Sequence, residues 1–484
     1  MMRALAGAAV AALVAAGTAA AFTPTDPLAA KQWYLAADHA FDLWPDPPAQ
    51  TLFMPTKVAI VDSGIDANHP DFAGRIVLGR SFVGGDWRTD PQGHGTFVAG
   101  MIAANLDGQG IVGIAYPSAQ LIVAKVVRAD GTIPLSAESA AIRWAADQGA
   151  RVINLSLGGV RDPRAPARDT YSRAEADAVA YAYQKGAVLV AAVGNGDEAP
   201  ATPWPYASYP AALPHVIGVS ALSRSGSVPT FSNRDRIYND IAAPGQEMFS
   251  TFPRDLTALR PTCPDQGYSD CGTDDYRRPE GTSFAAPQVT AAAALLIGLD
   301  PALRPDQVGA IIEQTADDAN ASNGCHMCPL LRDPYTGWGR LNIAKAIAAL
   351  DGPLPPADQY ESNDNAGTQA HTLFSGTADL HATLDFYDDQ VDVYRVRLGR
   401  GQRLDAILTG PAGANVDLVL WKPGTQRVDD LRSQRLRAAQ SSKPGPDERL
   451  TYRTQTTGWY YLETKLTAPF TGAYPYTLDY SKRT

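Results

Sequence analysis

The sequence predicts a doubly wound, mainly parallel α/β sheet with helices on both faces, followed by a small all-β sandwich. Three observations carry that expectation. Apolar runs that do not alternate recur from residue 57 onward, separated by stretches of helical pattern. One of those stretches, 283–298, is apolar almost throughout. Past an acidic, proline-rich segment at 351–361, the texture changes to short alternating runs rich in tyrosine.

The elements follow in order. Residues 1–21, MMRALAGAAVAALVAAGTAAA, set Arg3 before a run of Ala, Val and Leu and end on Ala19-Ala20-Ala21. A basic start, an apolar middle and small terminal residues are the pattern of a cleaved export signal. A membrane anchor is the competing reading, but the run is mostly alanine and barely long enough to span. The expected location is secreted, with no membrane association after signal removal; no later stretch is expected to cross a bilayer. Apolar runs at 57–61 (KVAIV), 121–127 (LIVAKVV), 151–155 (RVINL), 187–193 (AVLVAAV) and 216–219 (VIGV) read as strands buried on both faces, as in a parallel sheet between helices. Helical patterns at 94–104, 137–148 and 172–185 lie between them, and the apolar stretch 283–298 reads as a buried helix. This α/β domain is expected over 22–350, with 351–361 as linker. Over 362–484, VDLVLW, GWYYLE and AYPYTLDY, separated by turn residues, read as an antiparallel sandwich.

Composition narrows the function. The chain has 484 residues and a formal net charge of −10, so a nucleic-acid partner, which wants a basic face, is not expected. With 45% apolar and 19% charged residues a real core can form. The four cysteines fit export. They allow three pairings, and the local one, Cys263 with Cys271 and Cys325 with Cys328, is expected. The C-H-M-C run could suggest zinc, but no second ligand pair follows at suitable spacing.

Three short segments carry chemistry. The first strand runs into Asp62 in IVDSGID, a helix starts at His94 in GHGTFVAG, and the buried helix starts at Ser283 in GTSFAAP. In open α/β sheets the ligand crevice lies beyond the carboxyl ends of strands, where Asp62 and the turn ending at Asn195 fall. A serine hydroxyl is a poor nucleophile unless an imidazole takes its proton as it attacks. A buried carboxylate fixes that imidazole's tautomer and stabilises the imidazolium. A tetrahedral oxyanion needs fixed donors, which the N–H of Ser283 at a helix start and the Asn195 amide can supply. Each residue also has a plain structural reading, as turn former, helix cap or left-handed turn residue.

In these motifs, and in the order Asp62, His94, Ser283, the chain resembles the subtilisin-like serine proteases, the subtilases, over roughly residues 26–348. The resemblance implies a subtilisin-like fold, a secreted serine endopeptidase acting on proteins or peptides, Asp62, His94 and Ser283 as triad, and Asn195 as oxyanion-hole residue. It implies that Ser156, Leu157, Gly158 and Gly159 pair with an extended substrate, and that Ser208 floors the first specificity pocket, favouring medium or large apolar side chains. It implies structural calcium held by Asp71 and Asp107, completed by Asp26 or Gln32, with no catalytic cofactor. His69 is implied to be structural, and the protein is expected to be a monomer. Many secreted relatives carry a folding prodomain; only 40 residues lie between Ala21 and Asp62, so none is expected here. The long segment 253–280, with Cys263 and Cys271, is expected to form a pinned loop near the active site.

The tail resembles the bacterial pre-peptidase C-terminal domain in YESNDNAGTQAHTL (360–373), DDQVDVYRVRLGRGQRLDAIL (388–408) and NVDLVLWKPGT (415–425). Asp364, Asp388, Asp389 and Asp392 there are expected on a solvated acidic face, with calcium binding as the alternative. Two other functions compete: an inactive protease fold used for binding, and an esterase of the α/β-hydrolase type. The intact set of four residues argues against the first, and the absence of G-x-S-x-G and the chain order argue against the second.

Overall fold

The computed structural model describes residues 22–44, 52–196, 199–257, 280–354, 360, 363–386, 389–428, 433–467 and 474–483. The expected signal peptide, Cys263, Cys271, Asp388 and most of the expected linker lie outside them. The chain divides into two compact units: Met1–Arg161 with Thr170–Leu354, and Asp162–Asp169 with Pro355–Thr484.

The first unit is built on seven strands: β1 (Thr56–Asp62), β2 (Ile76–Ser81), β3 (Ala119–Lys125), β4 (Val152–Leu155), β5 (Val188–Ala192), β6 (Val216–Leu222) and β7 (Ile241–Pro244). They stand in the order β2-β3-β1-β4-β5-β6-β7, every neighbouring pair parallel. The main helices are α1 (His94–Ala103), α2 (Leu135–Asp147), α3 (Arg173–Gln184), α4 (Thr282–Leu299), α5 (Pro305–Gln314) and α6 (Ile343–Ala348).

The non-alternating runs are explained by two cores. Val58, Ile60, Leu121, Val123 and Val190 point to one face, covered by α1 and α4. Ala59, Val61, Ile122, Ala124 and Leu189 point to the other, covered by α2 and α3. Residues facing either way are therefore apolar, and the period-two signal disappears. The segment before β1 joins the first core through an aromatic cluster in which Trp44 contacts Phe22, Phe41, Phe53 and Tyr116. By length and composition alone α4 could cross a bilayer, but 94% of its residues are buried in this unit, where it serves as a core helix.

In the second unit a five-stranded sheet and a four-stranded sheet face each other. The first orders β13 (Arg437–Ser441), β12 (Val416–Trp421), β15 (Gly458–Leu466), β10 (Val391–Leu398) and β8 (His371–Leu373). The second orders β14 (Glu448–Arg453), β11 (Arg403–Thr409), β16 (Tyr474–Arg483) and β9 (Thr377–Leu384). Tyr476 of β16 reaches across, its hydroxyl 2.7 Å from that of Tyr394 and donating to Asp392. Two expectations are corrected. The β8–β10 pair is parallel, so the sandwich is not wholly antiparallel. Asp364, Asp389 and Asp392 are buried rather than solvated, Asp392 completely so, because it serves the core tyrosine.

Candidate active site

β1 lies where the sheet's strand order reverses, between β3 and β4, so a crevice opens at its carboxyl end. Asp62 ends β1, 2% exposed, and accepts the N–H of Ser63 at 2.7 Å. His94 opens α1 behind Gly93, whose φ of +83° suits glycine. The next residue, Gly95, lies so close to the turn after β1 that an added Cβ would run into the Gly64 carbonyl. That close approach brings His94 Nδ1 to 2.8 and 2.9 Å from the two carboxylate oxygens of Asp62. The imidazole packs on Phe284, ring centroids 5.4 Å apart, beside Ser283 near the start of α4.

These residues share one cleft of about 220 Å³, lined by Asp62, His94, Ser283, Asn195, Ser156, Leu157 and Gly158 among others. Asn195 follows β5. Its Oδ1 accepts from the backbone N–H of Thr282 at 3.0 Å and from the Thr282 hydroxyl at 3.1 Å. The Thr282 hydroxyl also accepts the N–H of Gly194 at 3.1 Å. With its oxygen tied down, Asn195 turns its amide nitrogen the other way. Thr282 was not singled out from sequence; a threonine directly before the serine at a helix start was the available signal.

Ser156 Oγ donates to the Ser283 carbonyl at 2.7 Å. Gly159, expected on the same wall, does not line the cleft: its N–H and C=O both pair with Tyr209, at 2.8 and 2.9 Å. Ser208, expected as a pocket floor, does not line it either. It is buried behind Gly194, where an added Cβ would run into the Ser208 hydroxyl, and behind Gly158. His69 is away from the cleft; its Nδ1 accepts the N–H of Asp71 at 3.2 Å as a helix cap, and burial lowers its pKa to about 4. Cys325 and Cys328 are joined by a disulfide.

Of the expected metal ligands, three carboxylates interact. Asp26 Oδ1 accepts the N–H groups of Asp107 and Gly108, both at 3.2 Å, while its buried Oδ2 has no hydrogen-bond partner. Asp71 accepts the N–H of Ile111 at 3.2 Å. Burial, with added repulsion from Asp107 and Asp26, pushes the Asp71 carboxyl up to about 7. Burial and Asp107 also raise Asp26. This uncompensated negative charge fits a hard cation. Among the described residues no group of three or more His, Cys, Asp or Glu side chains closes into a coordination shell, so backbone oxygens would have to contribute. Gln32 is engaged elsewhere: it pairs with both backbone groups of Val112 and donates to Tyr34.

A carboxylate-held imidazole and a serine on one cleft, at the carboxyl edge of a doubly wound sheet, define a serine hydrolase. The family model described as "Subtilase family" matches residues 55–328, which include Asp62, His94, Asn195 and Ser283. The chain belongs to the subtilase family, and it is a serine endopeptidase acting on proteins or peptides. It is 33% identical to thermitase of Thermoactinomyces vulgaris over 335 residues, which are 67% of this chain and 99% of thermitase. It is 35% identical to subtilisin DY of Bacillus licheniformis over 291 residues, 60% of this chain and 90% of that protein. A solved protease structure from Pseudoalteromonas arctica aligns with TM-score 0.52 and 25% identity, over 68% of this chain and all of that one.

Proposed function

We propose that the protein is an exported endopeptidase in which Ser283 attacks the scissile carbonyl, His94 takes its proton, and Asp62 holds the imidazole. The observation that carries this is the bond of His94 Nδ1 to both oxygens of Asp62. That bond assigns Nδ1 the proton and leaves Nε2 as the base, in a cleft that Ser283 also lines. As the tetrahedral oxyanion forms, the Ser283 N–H and the Asn195 amide nitrogen donate to it. The imidazolium then returns its proton to the leaving amine, giving an acyl-enzyme that water hydrolyses by the reverse steps. Ser156, Leu157 and Gly158 are proposed to run beside an extended substrate, with Ser208 limiting the depth of the first pocket from behind Gly158 and Gly194.

Calcium is proposed as a structural cofactor, with Asp26, Asp71 and Asp107 as its holders. Export rests on the pattern of residues 1–21. The β-sandwich is proposed to be of the pre-peptidase C-terminal type, on the motifs at 360–373, 388–408 and 415–425, and the enzyme to act as a monomer.

Casein clearing by the purified protein tests the reading. Activity is expected to vanish in Ser283→Ala and to be blocked by a serine-directed phosphonylating reagent. Full activity in Ser283→Ala would overturn it.

A further inference from the structure

We propose that Asp90 is a positioning residue for peptide hydrolysis, acting through Ser63 and the first turn of α1 to set the Asp62–His94 geometry; this rests on the triad reading above. Asp90 is 4% exposed, in the loop that leads into α1. Its Oδ1 accepts the Ser63 hydroxyl at 2.7 Å and the N–H groups of Gly93 at 2.9 Å and Gln92 at 3.2 Å. Its Oδ2 accepts the N–H of Thr96 at 2.8 Å and the Thr96 hydroxyl at 2.7 Å. The two hydroxyls that donate to Asp90, one after β1 and one in α1, each accept in turn and close the loop. Ser63 Oγ accepts the N–H of Gly95 at 2.9 Å, and Thr96 Oγ1 accepts the N–H of Asp66 at 2.9 Å.

One carboxylate thus ties the residue after Asp62 to the residues on either side of His94. Three of its donors are helix-start N–H or loop groups that lack intrahelical partners, and a carboxylate accepts them more strongly than a neutral cap would. Lys125 ends the strand beside β1 and donates to the carbonyl of Thr89 at 2.9 Å, which anchors the same loop. The arrangement has a functional reading because both ends of the bridge carry a reacting group. A histidine whose supporting bonds are fixed has one orientation, and a displacement on the order of 1 Å at such a site costs about a hundredfold in rate.

The test measures kcat and KM on a peptide amide, per folded enzyme, for Asp90→Asn, Ser63→Ala and the pair, in the parent and in a His94→Ala background. Asp90→Asn is expected to lower kcat by roughly 10- to 100-fold with KM nearly unchanged, as for lost supporting bonds at other sites. Ser63→Ala is expected to give a smaller fall, and the pair no more than Asp90→Asn alone. In the His94→Ala background the same substitutions are expected to leave the residual rate nearly unchanged, because there is no imidazole left to position. A parent-like kcat in Asp90→Asn, or an equal loss without His94, would overturn the proposal. If Asp90→Asn does not fold, Ser63→Ala, which removes one hydroxyl, decides by the same two comparisons. Failure of the triad reading is separable: it would appear as full activity in His94→Ala or Ser283→Ala.

Discussion

The Ser156 hydroxyl donates at 2.7 Å to the carbonyl of Ser283, which α4 cannot satisfy from within. Four residues on, the helix has Pro287, which lacks an N–H. Ser156 Oγ is itself held by Asn154 Nδ2 at 2.9 Å, and Asn154 Oδ1 by Thr290 at 2.9 Å. β4 and the cleft wall are thereby pinned to the turn that carries Ser283. Ser156→Ala leaves this partly buried carbonyl without its protein donor, at a cost of about 1 kcal/mol. Thermal unfolding is expected to show a lower Tm and assays a reduced kcat. Pro287→Ala is expected to recover part of the Tm when added to Ser156→Ala, because it restores a donor. A double variant less stable than Ser156→Ala alone would contradict this account.

Thr282 leads to a second prediction. Its backbone and hydroxyl both bind Asn195 Oδ1, so the amide nitrogen of Asn195 is aimed through Thr282. Asn195→Ala is expected to lower kcat by roughly 10²- to 10³-fold, the usual loss for one oxyanion donor. Thr282→Val keeps the backbone bond and loses the hydroxyl bonds, so a smaller fall in kcat at nearly constant KM is expected. A change confined to KM would show that Asn195 binds substrate rather than the oxyanion.

The carboxylates of Asp26, Asp71 and Asp107 yield a third. A cation that binds only the folded state adds RT ln(1 + [L]/Kd), about 2.7 kcal/mol at a hundred times Kd. Unfolding of the Ser283→Ala protein, which cannot digest itself, is expected at a lower temperature in chelator than in excess calcium. Asp71→Asn is expected to shrink that difference. Equal Tm values with chelator and with calcium would remove calcium from the proposed function.

Much of this was legible in the sequence, for identifiable reasons. The central strands showed as unbroken apolar runs because both faces are covered, and α4 showed because nearly every side of it is buried. β2 was missed because it is an edge strand with several exposed residues, and β7 because it has four residues and ends on Pro244. Asp62, His94, Asn195 and Ser283 were visible because each lies in a short motif at an element end. Asp90 and Thr282 were not, because their partners lie far along the chain or are backbone N–H groups, and neither kind of contact shows in the local residue pattern. Gly159 and Ser208 were placed by position along the chain, which does not say whether Tyr209 or Gly194 stands between a residue and the cleft.

Glu138 and Glu175 each stand in the first turn of a helix, and the structure buries them against each other, at 3% and 1% exposure, between α2 and α3. Burial, and then the neighbouring glutamate, raise Glu138 far above the usual range; burial raises Glu175 to about 7, with the hydrogen bond from Glu138 pulling the other way. Two buried carboxyls in contact share a proton more readily than they carry two charges. The sign follows from proton counts. Unfolded glutamates shed their protons near pH 4.5, while the folded pair keeps protons to about pH 7 and beyond. Through that window the folded state holds more protons, so stability falls as pH rises, by up to about 1.4 kcal/mol per pH unit per group. Glu138→Gln replaces the shared proton with an amide donor to Glu175. In the Ser283→Ala background it is expected to raise Tm above the parent at pH 8.5 and to confer no gain at pH 5. The parent's other buried acids, Asp71 among them, are common to both proteins, so the difference between the two curves isolates the pair. Curves that run parallel from pH 5 to pH 8.5 would show that the glutamates do not titrate in this range.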